Sequence, residues 1–177
     1  MKYPLVILLC LIFIGCSKEG GNMFFGNKVE KIIKNKNGQD AIIEINKLLS
    51  KIFYKNPEKL TLSEKNVVYI GELENEVNNG GFDQYFFNSS GNNTIETINA
   101  LEIIGSKIFL IILKKAVNKF PNGIVPKDRN EQQKILLEIN ENNEGLWDEL
   151  NQEFYKYEEY IYTLLINYIE NNINDFK

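Results

Sequence analysis

The residues of this chain best suited to chemistry are four carboxylates close together in sequence: Glu72, Glu74, Glu76 and Asp83. Glu72 and Glu76 are four apart and share one face of a helix, and a turn before Asp83 can bring it back toward them. Paired carboxylates act as general acid and base or bind a hard cation. That pattern is one a carboxylate-dependent hydrolase would use. Against it, the 177-residue chain has no histidine, which removes the commonest general base and the commonest metal ligand. Its two cysteines, Cys10 and Cys16, fall near the N-terminus, so the body has no disulfide, thiolate metal site or thiol nucleophile. The pair Gly80-Gly81 lacks the surrounding spacing of a phosphate loop or dinucleotide fingerprint. Three glutamates near a helix end in a glutamate-rich chain read as surface charge. No catalytic residue, metal ligand or cofactor is assigned, and the chain is read as a non-enzyme.

Just after these glutamates comes 78-NNGGFDQYFFNSSG-91. Glycine past a helix end adopts the left-handed conformation without a Cβ penalty, and a second glycine lets another backbone approach. Phe82, Tyr85 and Phe86 then recur at three and four residues, which places them on one face of a short helix that Asn88-Ser89-Ser90-Gly91 ends. The stretch reads as a structural joint holding an aromatic core, with Gly80, Gly81, Phe82, Phe86 and Gly91 as its fixed points. A polar binding edge made of Asp83, Gln84, Tyr85 and Asn88 is the second reading.

The elements that position this joint are helices. Ile42, Ile45, Leu48, Leu49 and Ile52 form one apolar stripe. Thr61 and Glu64 have the spacing of a capping box, opening a helix that carries Val67, Ile70, Leu73 and Val77 inward. Asn93 with Glu96, and Asp128 with Glu131, are further candidate caps. The run 107-KIFLIILKKAVNKF-120 has the length and period of a central buried helix, and its lysines exclude a membrane span. Leu146, Trp147, Leu150, Phe154 and Tyr157 form another stripe, and Ile161, Leu164, Leu165, Tyr168 and Ile169 the last. No alternating strand pattern of useful length occurs. The expected fold is all-α, a single compact domain of about six to eight helices over residues 40–177.

Residues 1–15 read as an address. Lys2 precedes an apolar run from Leu5 to Ile14, well short of the roughly 20 residues that span a bilayer, and Phe13-Ile14-Gly15-Cys16 resembles a bacterial lipobox. That resemblance implies cleavage before Cys16 and a covalent lipid on Cys16, with diacyl modification enough for stable anchoring. The expected location is the bacterial cell envelope, on a membrane outside the cytoplasm. Residues 16–39 are expected to be the lipidated N-terminus and a flexible tether, with room for a short helix around Val29–Ile33. Within it, Met23-Phe24-Phe25 fits either the lipid interface or the domain surface.

The run NGGFDQYFFNSSG resembles the signature of the bacterial DNA-mimic-protein-like family, whose members carry Asn-Gly-Gly-Phe-x-Gln-Tyr-Phe-x-Asn, here Asn79 to Asn88. The segments 100-ALEIIG-105, 147-WDELNQEFYKYEE-159 and 164-LLINYIENN-172 are similar to further family elements, so the likeness covers residues 43–173. It implies an all-α fold and, for the family's named member, an acidic surface that imitates DNA and occupies a DNA-binding protein.

Duplex DNA presents about one negative charge per 1.7 Å of axis, so a mimic needs many carboxylates on one face and few cations among them. From Glu131 to Lys177 there are 11 carboxylates and 3 lysines, and Glu144, Asp148, Glu149 and Glu153 are candidates for one acidic face. Such runs are usually solvated helix faces, and a lipoprotein outside the cytoplasm does not meet transcription factors. The leading expectation is therefore a membrane-anchored lipoprotein with a non-catalytic helical interaction domain for an unidentified protein partner, inhibitory or immunity-like. Nucleic acid is not expected as a partner, and the sequence does not define an oligomeric state. A DNA mimic and a carboxylate-dependent hydrolase are the alternatives.

Overall fold

The computed structural model describes residues 20–177, and every regular element among them is helical. Eight α-helices follow in order: α1 (Gly20–Asn35), α2 (Gly38–Phe53), α3 (Leu62–Phe87), α4 (Thr94–Ile103), α5 (Ile108–Val117), α6 (Arg129–Asn142), α7 (Asp148–Tyr155) and α8 (Ile161–Asn171). The expected all-α fold is the fold observed. The signal segment 1–15 and Cys16 lie outside the described residues.

α3 is the spine of the domain, with α2, α4, α6 and α7 packed against it. Val67, Val68, Ile70, Leu73 and Val77 are buried on several sides of it, which gives the pattern of a helix enclosed all round rather than one with a single wet face. Its start is the expected capping box: Thr61 Oγ1 accepts from the Glu64 amide at 3.2 Å, and Glu64 Oε2 accepts from the Thr61 amide at 2.9 Å. Glu64 is fully buried because the C-terminus closes over it. The Lys177 amide donates to Glu64 Oε1 at 2.8 Å, Ser63 Oγ donates to Asp175 at 2.7 Å, and Phe176 is buried between them in sequence.

Three expectations change. Part of the stretch expected as a tether, residues 16–39, is docked helix. α1 packs on α2 and on the C-terminal turn Ile173–Asp175, buries Val29 and Ile32, and sets Phe25 against the core. The Asn- and Lys-rich composition that suggested a tether describes only the wet face of α1. Asn93 stands at the start of α4 but its side chain caps nothing, because a 3₁₀ turn (Ser89–Asn93) runs directly into the helix. Finally, α5 is one-sided rather than central. Phe109, Ile112, Leu113 and Ala116 face inward while Ile111, Lys114 and Lys115 are exposed.

Candidate functional site

Gly80 (φ −158°, ψ 20°) and Gly81 (φ 73°, ψ −174°) are the two non-helical residues inside α3, so the helix breaks there and restarts at Phe82. Gly81 has a conformation that is essentially restricted to glycine. A Cβ on it would stand 2.5 Å from Asn151 Nδ2. Asn151, on α7, accepts from the Phe82 amide at 2.9 Å through Oδ1, satisfying the first free amide of the restarted helix. Phe82 and Phe86 enter an aromatic cluster with Trp147, Phe120, Phe154 and Phe109, several pairs meeting edge to face. Gly91 is held by the same packing, since a Cβ there would meet Phe86 Cα at 2.9 Å and Gln132 Nε2 at 2.1 Å.

The proposed edge of Asp83, Gln84, Tyr85 and Asn88 does not form one surface. Tyr85 is fully buried, its hydroxyl donating to Thr97 Oγ1 at 3.2 Å, and burial pushes that hydroxyl up to about 12. It belongs to the core because the Phe82–Phe86 face turns inward as a unit. Asp83 accepts from Asn140 Nδ2 at 2.6 Å on α6. Gln84 and Asn88 both donate to Glu76 Oε2, at 2.7 and 2.8 Å. Glu76 thus ties the two segments of α3 across the break, and Asp83 is committed elsewhere. The candidate acidic face is not wholly free of cations. Glu144 lies ahead of α7 in the loop, Asp148 and Glu149 are exposed in its first turn, and Glu153 is paired with Lys115 at 2.8 Å.

The structure instead brings Glu72 and Glu74 to one groove. It lies between α2 and α3, with α8 at one end, encloses about 500 Å³, and is lined among others by Asn46, Tyr54, Asn75, Asn78 and Tyr162. Gly71 leaves room for Asn46 in it, because a Cβ there would fall 1.2 Å from Asn46 Nδ2 and displace that side chain. Glu72 is 8% exposed and accepts from the Tyr54 hydroxyl through Oε1. Glu74 Oε1 accepts from the Tyr162 hydroxyl and from that of Tyr157 at 2.8 Å, while Asn78 Nδ2 donates to Tyr157 at 2.5 Å. Among the described residues nothing bonds to the second oxygen of either carboxylate.

Burial raises the pKa of both carboxyls above the ordinary carboxylate range, with the charge of Glu76 adding to the rise at Glu72 and the tyrosine hydroxyls opposing it at both. The tyrosines rise in turn, Tyr157 to about 12, mainly through burial. Tyr54 and Tyr162 rise as well, through burial and through the carboxylates they serve. These hydroxyls are therefore fixed donors at any ordinary pH. Tyr160, 84% exposed, stands beside the continuation of the groove along α8. Glu72 and Glu74 were visible in the sequence as candidate carboxylates; the tyrosines that organise them, from three separate elements, carried no local signal.

Among the described residues no group of three or more acidic or thiol side chains is arranged to hold a metal, and no helix is long and apolar enough to cross a membrane. The family model described as DMP19-like protein matches residues 58–172. The chain belongs to that family. No curated protein and no solved structure matches it.

Proposed function

We propose that this member of the DMP19-like family is a lipid-anchored, non-catalytic interaction domain of the bacterial envelope, inhibitory or immunity-like, whose α2–α3 groove receives a basic side chain of a protein partner. The observation that carries this is the state of Glu72 and Glu74. Both are desolvated, both have one oxygen engaged by tyrosine, and both leave the other toward an open hollow. A buried carboxylate held above its ordinary pKa gains when a cation enters, because the pairing restores its ionised form. A lysine or arginine placed there also meets the rings of Tyr54 and Tyr162, which suit a cation.

The non-catalytic part rests on where the carboxylates go. Glu76 and Asp83 are held by amide donors outside the groove, which leaves Glu72 and Glu74 there without the other two carboxylates of the sequence cluster. The envelope part rests on the lipobox-like Phe13-Ile14-Gly15-Cys16. A photo-crosslinking residue in place of Tyr160, in cells making the full chain, should capture the partner. Glu74→Gln should then weaken binding of the purified partner about ten-fold, as loss of a charge-assisted hydrogen bond does. Unchanged affinity in both Glu72→Gln and Glu74→Gln removes the groove from the account.

A second reading, mimicry of DNA, is favoured by the family match. It requires carboxylates free of cations, and here Glu153, Glu102 and Glu96 are paired with Lys115, Lys114 and Lys127. Partner binding that falls steeply with salt would favour mimicry.

A further inference from the structure

We infer that the domain is mounted directly against the bilayer, with the pole formed by α1 and the C-terminus facing the lipid; this rests on the reading of Cys16 as the lipidated residue. Were residues 16–39 a free tether, the domain would range up to about 80 Å from its anchor. Docking of α1 shortens that reach. α1 begins at Gly20, only four residues after Cys16, and it is docked through Phe25, Val29 and Ile32. Four extended residues reach about 14 Å, so the start of α1 stays within that distance of the lipidated residue.

Which pole this is follows from Gly26. A Cβ on it would lie 3.1 Å from the Phe176 carbonyl oxygen and 3.6 Å from that of Ile173, so the first half of α1 lies on the C-terminal turn. That turn is fastened to the start of α3 by Lys177–Glu64 and Asp175–Ser63. The far pole is marked by α6, which is bonded to the restarted segment of α3 through Gln132–Phe86 and Asn140–Asp83. The unbroken part of α3 from Leu62 to Asn79 separates the two ends by about 27 Å.

Charge agrees with this orientation. Lys28, Lys31, Lys34 and Lys36 are all exposed on or just after α1, and with Lys177 they outnumber Glu30, Glu170 and Asp175 there, whereas α6 carries Glu131, Glu138 and Glu141 against Arg129 and Lys134. Anionic headgroups favour the α1 end over the α6 end. The mount consists of α1 and the C-terminal turn, both outside the residues 58–172 that the family model matches. It is a feature of this chain beyond the matched core.

The mature chain has no cysteine but Cys16, so one introduced cysteine accepts one dye. Full-length protein would be produced in a lipidating host and reconstituted into phosphatidylglycerol-containing vesicles with an acceptor dye on the headgroups. Donor dye would be placed at Asn27→Cys or at Lys134→Cys on α6. Several-fold greater transfer from position 27 than from 134 is expected, with the difference collapsing once about a dozen Gly/Ser residues are inserted before Gly20. Lipidated, membrane-bound protein with equal transfer from both positions overturns the mount and leaves the anchor standing. Protein that carries no lipid and stays off the vesicles overturns both.

Discussion

Gly80 and Gly81 differ in what they tolerate. At Gly80 φ is negative (−158°), and the atoms nearest an added methyl belong to the Gln84 side chain, with Oε1 at 2.2 Å. At Gly81 the positive φ alone costs a non-glycine residue roughly 1–3 kcal/mol, and the methyl would also displace Asn151 from the Phe82 amide. Gly81→Ala should therefore lower the thermal midpoint by several degrees more than Gly80→Ala, read by circular dichroism; equal losses would mean that Asn151 and φ do not matter. Glu74 offers a second test. Its folded pKa lies above the ordinary 4.5, so the folded state holds the proton more tightly, and this contribution to stability is lost as pH rises from about that value through the folded pKa. Glu74→Gln keeps an acceptor for Tyr157 and Tyr162 but has no charge to desolvate. The variant's midpoint relative to the native chain should rise between pH 4.5 and neutral. A difference that stays flat with pH would show that Glu74 is not held above its ordinary value. The aromatic triplet of the joint and the capping box were legible in sequence, since both depend on spacing within one or two turns. Asn151, Gln132 and Gly71 were not, because each acts on a residue distant in sequence.

At the level of elements, the cap of α3 is completed by the chain's last residues. Phe176 is 1% exposed beside the α1 contact, so Phe176→Ala should destabilise the domain by about 3–5 kcal/mol in denaturant unfolding. Amide exchange should also quicken in α1, whose resting place includes that turn. Loss of stability without faster exchange in α1 would mean that the helix is held by α2 alone. α2, α3, α7 and α8 were readable because each has an apolar stripe, and the start of α6 because Asp128 caps it. α1 was misread because its few inward residues, Phe25, Val29 and Ile32, are outnumbered by lysine, asparagine and glycine. α5 was misread in the opposite sense, its mean apolarity hiding that only one side is covered. Composition reports how much of a helix is apolar, and the neighbours decide which part is buried.

For the whole molecule, the proposed location and partner are tested apart from stability. In a bacterial host, a Cys16→Ala variant should lose both metabolic lipid labelling and membrane association; retention of both would place the anchor elsewhere. Once the partner is known, the slope of its affinity against salt separates a single buried cation contact from a DNA-like run of charges, the second being several times steeper. By itself the sequence determined the helical class, the joint at Gly80-Gly81 with its buried aromatic face, the caps of α3 and α6, and the family likeness now matched over residues 58–172. All of these depend on local spacing, where backbone geometry fixes which side chains meet. Only the tertiary structure decided that Tyr85 is core, that Asp83 and Glu153 are engaged by Asn140 and Lys115, and that Glu72 and Glu74 share a groove with tyrosines from the end of α2 and from the chain around α8. Those outcomes depend on which helices lie side by side, and burial and pairing of polar groups follow from that contact rather than from the order of residues along one helix.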